Sequence, residues 1–175
     1  SVPLRTGWTQ KHDVYVDGGS KGFMFGIGGN YSGTTGVMKD SKRDSYGGKI
    51  DLIYRLDKLQ FSNKFSATYT STKDPVVEYN QYASANPYYK KYDENGDVSR
   101  WLENSTFARA ANPLYNASLN SRKEKSNLVL TNYFMVEYNP IHQVRLRGKF
   151  GLTHTTIDGE NFISPEDTRF ESYDR

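Results

Sequence analysis

Val144-Arg145-Leu146-Arg147-Gly148-Lys149-Phe150-Gly151-Leu152-Thr153-His154 reads apolar and polar by turns. Val144, Leu146, Phe150 and Leu152 take alternate positions, and Arg145, Arg147, Lys149 and Thr153 fill those between. Successive side chains of a β-strand point to opposite faces, so this stretch has one greasy surface and one wet one.

Five further segments repeat the pattern. In Lys11–Gly18, His12, Val14 and Val16 share a face against Asp13, Tyr15 and Asp17. Phe23–Tyr31 sets Phe23, Phe25, Ile27 and Tyr31 against Met24, Gly26, Gly28 and Asn30. Lys49–Leu56 sets Ile50, Leu52, Tyr54 and Leu56 against Lys49, Asp51 and Arg55. Phe61–Thr70 sets Phe61, Phe65, Ala67 and Tyr69 against Ser62, Lys64 and a run of hydroxyls. Leu128–Tyr138 sets Leu128, Leu130, Phe134, Val136 and Tyr138 against Thr131 and Glu137.

The joins between these segments alternate in length. Gly18–Gly22, Asp57-Lys58 and Asn139–His142 are short. Thr34–Ser45 is longer, Ser71–Asn127 is very long, and another long stretch begins near Asp158. Outer-membrane barrels have short periplasmic turns and long extracellular loops, which accounts for such an order. The wet faces carry Arg and Lys that are read as unpaired and suited to a hydrated lumen. A soluble antiparallel sandwich with one solvated face is the competing reading.

Composition points the same way. A chain of 175 residues can bury a sizeable core, yet only 35% of it is hydrophobic, low for a compact globule. Its 14 Tyr, 9 Phe and 15 Gly describe strands and tight turns better than helices. Absence of Cys excludes disulfides and thiolate chemistry. A net charge of +3, from 23 basic and 20 acidic residues spread evenly, gives no case for nucleic acid. No apolar run approaches the roughly 18 residues of a transmembrane helix, and the start is not a signal peptide. A barrel strand needs only about 9–11 residues with alternate positions apolar.

No catalytic constellation is visible. His12, His142 and His154 stand far apart without metal-ligand spacing, so no metal is expected. The glycines of Gly18–Gly29 lack the Lys-Ser/Thr ending and following helix of a phosphate loop. Asp93-Glu94-Asn95-Gly96-Asp97 has oxygen ligands around a Gly but lacks the spaced Glu of a calcium loop, which favours an ordinary turn. Tyr88, Tyr89, Tyr92, Trp101 and Tyr115 in the long loop are candidates for stacking on sugar rings or on a protein cap, with Asp93, Asn95 and Asp97 beside them for hydroxyls. Packing of the loop on itself would explain the same aromatics.

Arg5-Thr6-Gly7-Trp8-Thr9-Gln10-Lys11-His12-Asp13-Val14-Tyr15-Val16-Asp17-Gly18-Gly19 resembles a barrel segment of SusC/RagA-like TonB-dependent transporters. The likeness runs on through Phe23–Tyr31, then Gly36-Val37, Tyr46 and Lys49-Ile50-Asp51-Leu52. Gly48 and Asp51 stand where the family more often has larger or amide residues. Asn86-Pro87-Tyr88-Tyr89, Tyr92–Asp97 and Ala111-Asn112-Pro113-Leu114 are similar to the family's long outer loop, and Tyr138-Asn139-Pro140 to its turn.

The resemblance implies an all-β fold: an antiparallel meander of about six strands from a large transmembrane β-barrel, with one long extracellular loop, 71–127. Residues 1–175 would be a partial barrel domain, the plug domain and C-terminal strands being absent. It implies a Gram-negative outer-membrane transporter, not an enzyme, with no cofactor. Glycan oligosaccharide or peptide would be imported, driven by the TonB complex and closed over by a SusD-like surface lipoprotein, in contact with outer-membrane lipid. Tyr88, Tyr89, Tyr92, Asp93, Asn95, Asp97 and Trp101 would meet ligand or lid. Arg55, Lys64, Arg145, Arg147 and Lys149 would line the lumen, and no residue would be catalytic. The alternatives are a soluble β-sandwich carbohydrate-binding module and a siderophore or cobalamin receptor. An open set of such strands has two unpaired edges and should aggregate in isolation.

Overall fold

The structure is a computed structural model that describes residues 3–105 and 108–173. Six strands form one antiparallel sheet in meander order: β1 (Trp8–Gly19), β2 (Phe23–Thr35), β3 (Lys42–Leu56), β4 (Leu59–Asp74), β7 (Arg122–Ile141) and β8 (Val144–Phe162). Between β4 and β7 lie α1 (Tyr79–Ala83), the two-stranded sheet β5 (Trp101–Asn104) and β6 (Arg109–Ala111), and α2 (Pro113–Ser118). A 3-10 turn, Thr168–Tyr173, follows β8. No helix among the described residues is long and apolar enough to cross a membrane.

The tight joins fall at one end of the sheet and the long ones at the other. Gly19 ends β1 at φ 137°, where a side chain would run into the Phe23 carbonyl oxygen, so this hairpin needs glycine. Leu56 pairs with Leu59 across the two-residue Asp57-Lys58 turn. Asn139-Pro140 is absorbed into β7 as an irregularity between Tyr138 and Ile141, a place where proline's missing N–H does no harm.

Every strand begins or ends at this turn end close to where the alternation places it. At the loop end all of them run further than the alternation does. β2 and β3 extend to Thr35 and from Lys42, which shortens the expected Thr34–Ser45 loop, and β7 starts at Arg122 within the expected 71–127 loop. The cause is physical. Beyond Tyr31, Tyr46, Tyr69 and Leu128 both faces turn polar, so the backbone ladder continues while the greasy–wet contrast stops.

The register welds the six greasy stripes into one surface. Val16, Ile27, Ile50, Phe65, Asn132 and Leu152 are successive cross-strand neighbours, as are His12, Tyr31, Tyr46, Tyr69, Leu128 and Thr156. Opposed residues share a face. The apolar band is level on β2, β3, β4 and β7 and shifts only on the two edge strands. On β1 it runs from Val16 toward the loops, as far as Trp8. On β8 it runs from Leu152 toward the turns, as far as Val144.

Nothing among the described residues covers this surface. Val77 and Pro113 are the buried aliphatic side chains among the described residues, and both belong to the loops. Val14, Phe150 and Leu152 are 68%, 65% and 61% exposed. The surface of 12714 Å² far exceeds the roughly 8,700 Å² of a compact monomer of this mass. The small β5–β6 sheet does not pack face to face on the large one. β1 and β8 remain open edges.

Candidate functional site

The opposite face of the sheet carries most of the charge. At its turn end Glu137 on β7 meets two guanidiniums of β8: Arg147 Nη2 at 2.7 Å and Arg145 Nε at 3.3 Å. Arg55 Nε donates to Gln60 Oε1 at 2.9 Å. Lys64 Nζ lies 3.9 Å from Asp51, whose other oxygen accepts from the Tyr15 hydroxyl at 3.3 Å. The Lys49 ammonium sits over the Tyr15 ring, 4.5 Å from its centroid. The expectation of unpaired Arg and Lys on this face is therefore corrected for Arg55, Lys64, Arg145 and Arg147. Sequence alone could not show it, because their partners stand on neighbouring strands and the register brings them together. Lys149 is opposed by Met135.

Glycine makes this packing possible. The Tyr15 ring lies across Gly26 and Gly28, and a Cβ on Gly28 would be 2.8 Å from both Tyr15 Cδ2 and Lys49 Cε. Tyr133 covers Gly151 in the same way. These glycines leave room on the wet face.

The two faces differ sharply in charge. On the strands the wet face bears Lys11, Arg43, Lys49, Arg55 and Lys64, then Lys123, Lys125, Arg145, Arg147 and Lys149. Its strand acids are Asp13, Asp17, Asp51, Asp74 and Glu137. The greasy face has charged groups only at its loop end, where Lys42, Lys73 and Arg122 are balanced by Asp44, Glu124, Asp158 and Glu160.

Above the loop end the connections fold into a cap that holds most of the buried residues. Asn112 is its hub. The side-chain Nδ2 donates to the carbonyls of Lys91 and Ser99 at 3.0 and 2.6 Å, and Oδ1 accepts from the Leu114 N–H at 3.1 Å. Asn caps α2 and Pro113 opens it, a favourable pairing because proline lacks an N–H that would be orphaned there. Asn116 joins this loop to the segment after β8, donating to Thr168 Oγ1 at 2.8 Å and accepting from its N–H at 3.3 Å. Ser121 Oγ accepts from the Ser164 N–H at 2.9 Å. Near the start of the chain, Arg5 grips the β2–β3 loop through the carbonyls of Gly36 and Ser41.

The candidate ligand residues are scattered over this cap. Asp93, Asn95 and Asp97 do come together, but as a turn: Asp93 Oδ1 accepts the N–H groups of Asn95 and Asp97, both at 2.9 Å, and Gly96 adopts φ 88°. That oxygen is already used twice by the backbone. Tyr92 lies beside it, bridging to Val98. Tyr88 is 93% exposed. A hydrogen bond to the Glu103 carboxylate, reinforced by its charge, raises the pKa of the half-buried Tyr89 phenol above the ordinary 10.0. Trp101 has one side against the Arg109 guanidinium, 5.6 Å from its centroid, and lines an open hollow with Gln81, Asn116 and Asp167.

A second hollow of about 300 Å³ escaped the sequence reading. Tyr79, Tyr82, Pro87, Leu102, Pro113 and Leu114 line it. Burial, followed by the nearby Asp40 charge, raises the Tyr82 pKa. The Asn-Pro pairs were visible signals for the backbone there, whereas nothing in the spacing of Tyr79 and Tyr82 marks a wall. His12, His142 and His154 remain apart, on β1, at the β7–β8 turn and on β8. No protein-family model matches the chain, and no curated protein matches it.

Proposed function

We propose that this chain is a stretch of the wall of an outer-membrane β-barrel transporter, of the SusC/RagA-like TonB-dependent kind. The greasy face would meet lipid, and the charged face would line a water-filled path for a nutrient oligomer. A SusD-like surface lipoprotein would close over the cap, and a TonB complex would supply the energy.

One observation carries the barrel reading: an uncovered apolar band that runs across all six strands, opposite a charged face. On β2, β3, β4 and β7 the band keeps one level of the register, and it shifts only at the edges, toward the loops on β1 and toward the turns on β8. Along Leu128–Tyr138 it runs ~33 Å, which at the tilt of about 35–45° that membrane barrels give their strands stands ~25 Å tall, the height of a hydrocarbon belt. Tyr31, Tyr46 and Tyr69 edge it on the loop side, as interfacial aromatics do. A soluble sandwich would instead need a second sheet on this surface. The more particular transporter identity draws its support from the motif resemblance alone.

Trypsin applied to intact cells that make the protein tests the reading. Cleavage is expected at Lys90 or Lys91 in the outer cap, with Lys21 in the turn protected until the envelope is broken. Cutting at Lys21 from outside would contradict it. So would a chain that is monodisperse in plain buffer and does not float with lipid vesicles.

A further inference from the structure

We infer that the charged face of the sheet selects an anionic solute, a carboxylate-bearing oligomer. The inference rests on the barrel reading for calling this face a path, and on the sheet alone for the face's chemistry.

Evenly mixed charge in the whole sequence hides a one-sided arrangement in space. Arg55, Gln60, Glu137 and Arg147 form one cross-strand row. Glu137 meets both Arg145 and Arg147, so one carboxylate serves two guanidiniums and the cluster stays positive after its ion pairs are made. Lys149 stands on the next wet position of β8, opposed by the uncharged Met135. Lys64 shares Asp51 with the Tyr15 hydroxyl. At the loop end of the same face Arg43, Lys123 and Lys125 are set against Asp74.

Neighbouring strands are ~4.8 Å apart, well inside the Debye length of about 10 Å at 0.1 M salt, so these groups act as a field rather than singly. A water-filled cleft with low-dielectric walls focuses such a field and concentrates ions of opposite sign. Guanidiniums also bind carboxylates through two parallel hydrogen bonds, which favours that anion. The outer cluster at Lys125 and the inner one at Glu137 are ~40 Å apart along β7 at ~3.3 Å per residue. A single ion would engage little of such a surface, whereas a short chain with repeated charge engages several cations of either cluster at once. Acidic sugars and acidic peptides share this chemistry.

The test is calorimetric titration of the detergent-solubilised chain with a galacturonate tetramer, a glutamate tetramer and a neutral glucose tetramer. At low salt an anionic tetramer is expected to bind at least about 10-fold more tightly than the neutral one, and high salt should erase the difference. Which anionic tetramer binds better names the source. Lys64→Gln with Lys149→Gln should weaken it about 10-fold, whereas Lys42→Gln with Lys73→Gln on the other face should not. Should the wet-face double variant fail to fold, the two single variants, each expected to lose a few-fold, serve instead. Equal binding of neutral and anionic tetramers, no binding of any, or equal losses from both pairs of substitutions would overturn the inference. Flotation with vesicles is scored separately: a chain that binds anions yet never floats retains its anion face and loses the barrel.

Discussion

Arg147 reaches Glu137 with two nitrogens of its guanidinium, Nη2 at 2.7 Å and Nε at 3.0 Å from the same Oε2. The residues are directly opposed on β7 and β8, so the pair fastens the outermost strand to its neighbour. Arg145 comes to 3.3 Å of the other oxygen, which makes Glu137 the shared partner of two cations. Glu137→Ala leaves two like charges close together on β8. It should therefore lower the unfolding midpoint in urea more than Arg145→Ala does. The double variant Glu137→Ala with Arg147→Ala should be milder than the sum of its parts, because the second change removes a charge the first has orphaned. Strict additivity in that cycle would show that the pair couples nothing.

The cap has its own point of failure. Asn112 is 1% exposed and spends its amide on three backbone groups. Asn112→Ala removes the donor to the Ser99 and Lys91 carbonyls, of which the Lys91 oxygen keeps the Ser99 N–H, and uncaps α2, a loss of about 1–3 kcal/mol by the usual cost of unmade hydrogen bonds and a missing cap. Asn112→Asp can still cap α2 but sets a buried carboxylate oxygen against two carbonyl oxygens, so it should cost more than Asn112→Ala. The damage should stay local. Amide exchange should quicken through residues 84–118 and hold steady in β3, β4 and β7. Equal acceleration in the strands would mean that the cap and the sheet unfold as one unit.

How much of this was legible in sequence follows from where water and apolar contact alternate. Val144–Leu152 and its five companions declare their strands because each has one face of each kind, and even the order of tight and long joins could be read. Strand ends at Thr35, Lys42, Asp74 and Arg122 could not, because there both faces are wet and period two fades while the ladder persists. Pairings across strands were equally hidden. Glu137 and Arg147 are joined by a hairpin, but Asp51 finds Tyr15 across two intervening turns and 36 positions of chain. In the loop the aromatic residues were seen as a set. The fold gives them different fates: Tyr88 stands free, Tyr89 bonds Glu103, and Trp101 lies beside Arg109.

Tyr89 supplies a pH readout for the cap. The hydrogen bond to Glu103 is lost when the phenol ionises, so the folded loop holds that proton more tightly than the unfolded chain does. A raised folded pKa means that this contribution is complete below pH 10.0 and disappears as pH climbs through the folded value. Cap stability should therefore fall in the alkaline range above 10.0 and should not respond to this group at neutral pH. Spectra of 13C-tyrosine-labelled protein, assigned with Tyr89→Phe, should show one phenol titrating late. Glu103→Gln should bring it down toward the ordinary value. An unmoved titration in that variant would remove Glu103 as the cause.

The sharpest contrast lies between neighbours on the edge strand. Phe150 and Leu152 point to the greasy face and Thr153 to the wet one, with Leu152 level with Asn132, Phe65, Ile50, Ile27 and Val16 across the sheet. If lipid covers that surface, an arginine on it costs up to roughly 2–4 kcal/mol, whereas one facing water costs little. Leu152→Arg should weaken flotation of the chain with vesicles and raise its solubility in plain buffer. Thr153→Arg, one residue along and on the other side, should leave flotation intact. In a soluble sheet whose two faces both meet water, neither substitution would separate from the other. Equal behaviour of the two variants would thus remove the membrane from the account, however well the register aligns the stripes.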